Sequence, residues 1–117
     1  MSTDSNNKME LEIYTHDKDL LPNILGKSSP SRSDSVVIDG NAKLTYRGIT
    51  IRLSDGLPEI INLTLTFWSS VAAGVVANWL YEKFKGRTVK IVINKREINL
   101  DKEQIKNIVE ETIRIEK

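Results

Sequence analysis

The sequence predicts an α+β domain: a small sheet of about four strands, one central apolar helix and a C-terminal amphipathic helix. Three observations lead there. Residues 9–14, 45–53 and 89–93 alternate apolar and polar side chains with the two-residue period of a half-buried strand. Residues 60–81, IINLTLTFWSSVAAGVVANWLY, hold no formally charged side chain in a chain where Asp, Glu, Lys and Arg make up 28% of the residues. The last segment, DKEQIKNIVEETIRIEK, repeats its apolar positions at helical spacing.

Taken in order, residues 1–8 form a polar tail that is expected to be disordered, and residues 9–117 form a single domain, which suits a chain of 117 residues. MELEIYT sets Met9, Leu11 and Ile13 against Glu10, Glu12 and Tyr14, and opens the sheet. In HDKDLLPNIL, Asp17 or Asp19 offers a helix cap, but Pro22 follows so closely that one turn of helix is expected. GKSSPSRSDS, residues 26–35, reads as a mobile polar loop. Asp39-Gly40 supplies the positive φ of a tight reversal between two β-favouring runs, and TYRGITIRL then aligns Ile49, Ile51 and Leu53 on one face.

Residues 60–67 fit two templates. Ile61, Leu63, Leu65 and Phe67 alternate with Asn62, Thr64 and Thr66 as in a strand, whereas Ile60, Leu63, Phe67 and Val71 form a helical stripe. Pro58 and Glu59 suit a helix start, so a helix is expected from about Pro58 to Lys85. Its length, ~40 Å at 1.5 Å per residue, predicts a break at Ser69-Ser70. Gly86 ends it. RTVKIVINKREINL then sets Val89, Ile91 and Ile93 inward, turns through NKRE and returns with Ile98 and Leu100. In the closing helix Asp101 caps, Gln104 completes a capping box, Ile105, Ile108, Val109, Thr112 and Ile113 form the apolar face, and Glu110 can pair with Arg114.

The same apolar stretch is long enough to span a bilayer, with Trp79 and Tyr81 placed as an aromatic belt and Lys83, Lys85 and Arg87 as positive flanks. Against a span stand six amide or hydroxyl side chains, among them Asn62 and Asn78, each costly in hydrocarbon without a partner. The amphipathic elements that follow also need a core to cover. The core placement is therefore preferred, and a membrane anchor at residues 60–81 is kept as the alternative.

Composition excludes more than it assigns. Seventeen basic and sixteen acidic side chains leave no charge bias toward nucleic acid. The absence of cysteine removes disulfides, thiolate nucleophiles and Cys-type zinc sites. No basic region followed by an apolar run opens the chain, which predicts a cytoplasmic location. His16, Asp17 and Asp19 are the one cluster suggesting metal or acid–base chemistry, but three groups so crowded in a loop rarely converge, and a polar turn is the simpler reading. An enzyme centred on His16 is the second alternative. Gly26-Lys27-Ser28 matches the end of a phosphate loop, but position 21 is Leu where that motif needs Gly. No cofactor and no metal site are expected. Lys83, Lys85, Arg87, Lys90, Lys95 and Arg96 crowd six positive charges into fourteen residues. With Trp79, five of them (Lys83, Lys85, Arg87, Lys95 and Arg96) are the candidate interaction residues.

The order of parts carries a resemblance. An opening strand running into an acidic loop, LEIYTHDKDLL, precedes a variable polar middle, and LPEIINLTLTFWSSVAAGVVANWLYEKFKGRTVKIVINKREINLD follows. The matching positions are Leu63, Leu65, Ser69, Ser70, Ala77, Trp79, Leu80, Lys83, Lys85, Val89, Ile91 and Ile93. On these the chain resembles the effector-associated constant component family of small prokaryotic domains. It departs from that pattern in having DLLPNIL where a Trp-Leu pair follows the first strand, and Ser-Ser where glycines are usual. The resemblance implies a non-enzymatic adaptor of bacterial conflict or immune-like systems, acting beside a separate effector protein such as a protease. It carries over no catalytic residue.

Overall fold

A computed structural model describes residues 7–38, 40, 42–51, 56–67, 72–87 and 90–115. The chain runs β1 (Asn7–Thr15), α1 (Leu20–Leu25), β2 (Ser35–Ile38), β3 (Ala42–Thr50), β4 (Glu59–Phe67), α2 (Ala72–Phe84), β5 (Lys90–Ile93), β6 (Arg96–Ile98) and α3 (Lys102–Ile115). The strands form one sheet in the order β2-β3-β4-β1-β5-β6, and every neighbouring pair is antiparallel. The expectation of about four strands around a single central helix is overturned by these six strands and three helices.

The largest correction concerns residues 59–67, which form a strand and not the first half of a helix. Period two wins because β4 is flanked on both sides. Met9 faces Leu65, Leu11 faces Leu63 and Ile13 faces Ile61 across β1. Leu44 faces Leu65 and Tyr46 faces Leu63 across β3. Ile61, Leu63, Leu65 and Phe67 are all at most 3% exposed, a pattern that a helical turn of 100° per residue cannot give. The β-branched Ile60, Ile61, Thr64 and Thr66 favour the same outcome. Within residues 60–81, residues 60–67 thus belong to β4 and residues 72–81 to the thirteen-residue α2. No helix among the described residues is long and apolar enough to cross a membrane. The break expected at Ser69-Ser70 lies outside the described residues.

β4 and β5 are each antiparallel to β1, which lies between them, so they run parallel to one another. The crossover through α2 therefore starts from β4 and ends at β5. α2 packs on α3, α3 lies against β1, and α1 and α2 reach β2. Ala73, Val76, Ala77, Leu80 and Phe84 of α2 join Ile105, Ile108 and Val109 of α3 in one core with the inward side chains of the sheet. Gly86, with φ of 80°, closes α2. Asp101 caps α3 through the Glu103 amide, which donates to its Oδ1 at 2.8 Å, while Gln104 reaches back to the Asn99 amide. Arg114, the expected partner of Glu110, has a side chain outside the described set.

Two reversals set the geometry of the sheet. Ile38 pairs with Ala42 around Gly40, whose φ is 73°, as the Asp39-Gly40 signal requires, although Asp39 itself lies outside the described residues. At the other edge Ile93 pairs with Arg96 around Asn94 and Lys95, both with positive φ, the backbone of a two-residue hairpin. The Asn94 amide donates to the Glu10 carbonyl, and its side-chain oxygen accepts from the Glu10 amide, locking the hairpin to β1.

A register shift between Tyr46 and Gly48 adds one residue to β3. This bulge brings Ile49 opposite Ile61 on the helix-covered side. A Cβ on Gly48 would meet the Arg32 guanidinium at 2.9 Å, and its φ of 124° is open only to glycine.

Strand and helix readings of β4 make opposite statements about two side chains. Leu65→Ala removes a wholly buried side chain and is expected to cost about 2–5 kcal/mol in urea unfolding. Ile60→Ala, on the uncovered face, should cost under about 1 kcal/mol. A large loss at Ile60 with tolerance at Leu65 would restore the helical stripe.

Candidate functional site

The described residues place their chemistry at one end of the sheet. There β1 finishes at Thr15, β4 begins at Glu59 directly opposite it, and Thr50 of β3 pairs with Ile60. The chain leaving β1 turns sharply into α1. Thr15 is buried, and its Oγ1 accepts from the Asp17 amide at 2.9 Å, while Asp17 Oδ1 accepts from the Asp19 amide at 2.9 Å. These Asx- and Thr-type turns fix the Asp17 carboxylate in place.

From the other side of β1 comes the chain leaving α2, whose Arg87 guanidinium donates to Asp17 Oδ2 and forms an ion pair with it. The Asp19 amide first, and the Arg87 guanidinium second, hold the Asp17 carboxyl below its ordinary value of 3.8.

Asp17 stands between two concavities. On the α2 side an open cleft of about 610 Å³ is lined by His16, Asp17, Lys85, Gly86 and Arg87. Its cations are already engaged: Arg87 with Asp17, and Lys85 with Glu82 at 2.9 Å. The cleft also faces the C-terminal end of α2, where the helix dipole favours just such cations, so their presence there has a structural cause.

On the other side a smaller pocket of about 290 Å³ sits between α1, the 26–34 segment and the sheet. Leu21, Pro22, Pro30, Ile49 and Ile61 supply apolar walls, and Tyr46 and Glu59 add a phenol and a carboxylate. Tyr46 is 8% exposed, and burial raises the pKa of its phenol above the ordinary value. This is the combination of a mostly apolar wall and few polar groups that small-ligand sites share.

The interaction residues drawn from the sequence do not gather at one place. Trp79 is half-buried against the core, and the Lys83 ammonium sits 5.4 Å from its ring centroid. Lys85 and Arg87 border the open cleft. Lys95 and Arg96 lie at the β5–β6 turn, a strand length of ~13 Å from Lys90 along β5. Arg96 pairs with Glu111 at 2.9 Å, and Lys95 is exposed. His16 is exposed beside the cleft, and no group of three or more His, Asp or Glu placed to hold a metal ion occurs among the described residues.

The pocket is not legible in the sequence, because Glu59 reads there as part of a helix start. The one available signal was a carboxylate at the head of an alternating apolar run.

Compared with family models, with curated proteins and with solved structures, the chain matches none.

The Asp17–Arg87 pair gives a pH dependence of definite sign. A carboxylate whose pKa is lowered by folding adds stability above its unfolded value, and this is lost as pH falls through the lower folded value. Between pH 5 and pH 2 the wild-type protein is therefore expected to lose stability more steeply than Asp17→Asn in urea unfolding. Above pH 5 the difference between the two should be constant. Equal slopes in acid would show that the pair does not contribute.

Proposed function

We propose that this chain is a non-enzymatic protein-interaction module that docks another protein at the β3–β4 end of its sheet. The observation that carries this reading is the distribution of exposed large apolar side chains. Among the described residues these are Ile49, Ile51, Leu57 and Val37, at 40, 68, 44 and 57% exposure. Three of the four bracket the same hairpin end, where residues 51–58 join β3 to β4. Isolated exposed apolar side chains are normal on any protein, but three at one tip, beside a concavity with apolar walls, form a patch of the kind that anchors a partner.

The rest of the surface offers less. The sheet face opposite the helices carries Glu10, Glu12, Asn62, Thr64, Thr66, Lys43 and Thr45, an ordinary solvated face of an antiparallel sheet. The cations near the end of α2 are largely held by the chain's own acids.

The resemblance to effector-associated constant components supplies the kind of partner, a separate effector protein, and it agrees with a module that has no catalytic motif. In this reading the hairpin tip meets the effector, while the helices, committed to the core, hold the sheet rigid behind it.

The test is a reconstituted complex with an effector encoded beside this chain, measured by calorimetry. Ile51→Asp combined with Leu57→Asp places two carboxylates in the patch without touching the core, and is expected to weaken binding at least a hundredfold while leaving the unfolding midpoint within experimental error. Lys95→Glu with Arg96→Glu should leave affinity within threefold. The reverse pattern would move the docking surface to the β5–β6 turn and end this reading.

A further inference from the structure

The pocket beside Asp17 has a chemical selectivity that the docking reading does not require. Its two carboxylates differ in kind. Asp17 is satisfied, with one oxygen taken by the Asp19 amide and the other by Arg87. Glu59 is half-buried, held by β4 on the helix-covered side, and has no ion pair or side-chain hydrogen bond among the described residues. Its oxygens are therefore open to accept from a cation small enough to enter the pocket.

The remaining walls suit such a cation if it carries a short alkyl body. Leu21, Pro22, Ile49 and Ile61 offer methyl and methylene contacts, and the Tyr46 phenol lies within reach of two opposed charges, the Arg32 guanidinium first and the Glu59 carboxylate second. Lys18, which also borders the pocket, is exposed on a turn and solvated, so it can swing clear of an incoming ammonium where Glu59, fixed in a strand, cannot. We infer that this pocket binds an alkylammonium group, its charge on Glu59 and its carbon chain against Ile49, Ile61 and Leu21. The volume of about 290 Å³ admits a short primary amine or the end of a lysine side chain. The inference stands on the cavity and Glu59, and it survives if Ile51 and Leu57 prove idle.

The experiment is a titration of the full chain, followed by amide NMR shifts, with n-butylammonium, n-butanol and n-butyrate, which share a carbon chain and differ in charge. Butylammonium is expected to give saturable shifts at Thr15, Ile49 and Ile61, with an affinity at least tenfold better than butanol, and butyrate none. Glu59→Gln, which keeps shape and removes charge, should weaken butylammonium at least tenfold, and Tyr46→Phe serves as a second variant should Glu59→Gln alter the fold. Lys18→Ala should leave affinity equal or tighter.

A lysine blocked at both its amino and carboxyl groups identifies the source. Binding as tight as butylammonium marks a protein side chain as the natural occupant, and weaker binding marks a free amine. Equal binding of butanol or butyrate, or an unchanged affinity in Glu59→Gln, overturns the proposal.

Discussion

The pairing of β1 with β4 is the constraint on which the remaining structure depends. Nine residues of each strand run side by side without a break, from Asn7 opposite Phe67 to Thr15 opposite Glu59. The rungs Met9–Leu65, Leu11–Leu63 and Ile13–Ile61 each present two apolar side chains to the same side, so the helices have one continuous surface to cover. A slip of one residue would set Leu11 opposite Asn62 or Thr64 and turn the apolar set of one strand to the outer face, away from the helices. β3 and β5 extend this pair on either flank, Leu44 beside Leu65 and Ile91 beside Ile13. Once that ladder is in place, α2 and α3 need only match each other and the sheet, and their buried Val76, Leu80, Ile105 and Val109 do so.

That ladder also positions the candidate site. The end of β1 and the start of β4 are adjacent, so Thr15 and Glu59 stand side by side although far apart in sequence. The bulge in β3 turns Ile49 toward them. The Asp17–Arg87 pair then ties the turn after β1 to the turn after α2, and Asp17 borders both the open cleft and the smaller pocket. An ion pair this accessible contributes little to global stability in salt, and its main effect is local, in holding two connecting segments together.

Several local elements were legible in the sequence, although the six-stranded sheet was not. The alternation in Met9–Tyr14, the Asp39-Gly40 reversal, a turn within residues 94–97 and the C-terminal helix all depend on neighbours within a few residues, and local patterns decide such elements. β4 was not decided locally. Ile61, Leu63, Leu65 and Phe67 alternate, but Pro58, Glu59 and the alanines beyond residue 71 point to a helix, and the contest is settled only by β1 and β3, whose contribution lies elsewhere in the chain. The site shared that difficulty. Glu59 gains its meaning from Thr15, Tyr46 and Ile49, none of which is near it in sequence, and the cations that did stand together in sequence, Lys85 and Arg96 among them, separate onto different ends of β5 when the chain folds.

The sheet order has a further consequence for how the protein is made. Its first strand is a central one, and both of its neighbours are synthesised much later, β4 midway and β5 near the end of the chain. During translation Met9, Leu11 and Ile13 therefore emerge long before Leu63 or Ile91 exists to cover them, leaving two sticky edges exposed to the cell for several seconds at ordinary elongation rates of roughly 5–20 residues per second. Such a topology folds late and through contacts between distant parts of the polypeptide, which makes the nascent chain, more than the finished molecule, the state most in need of a chaperone.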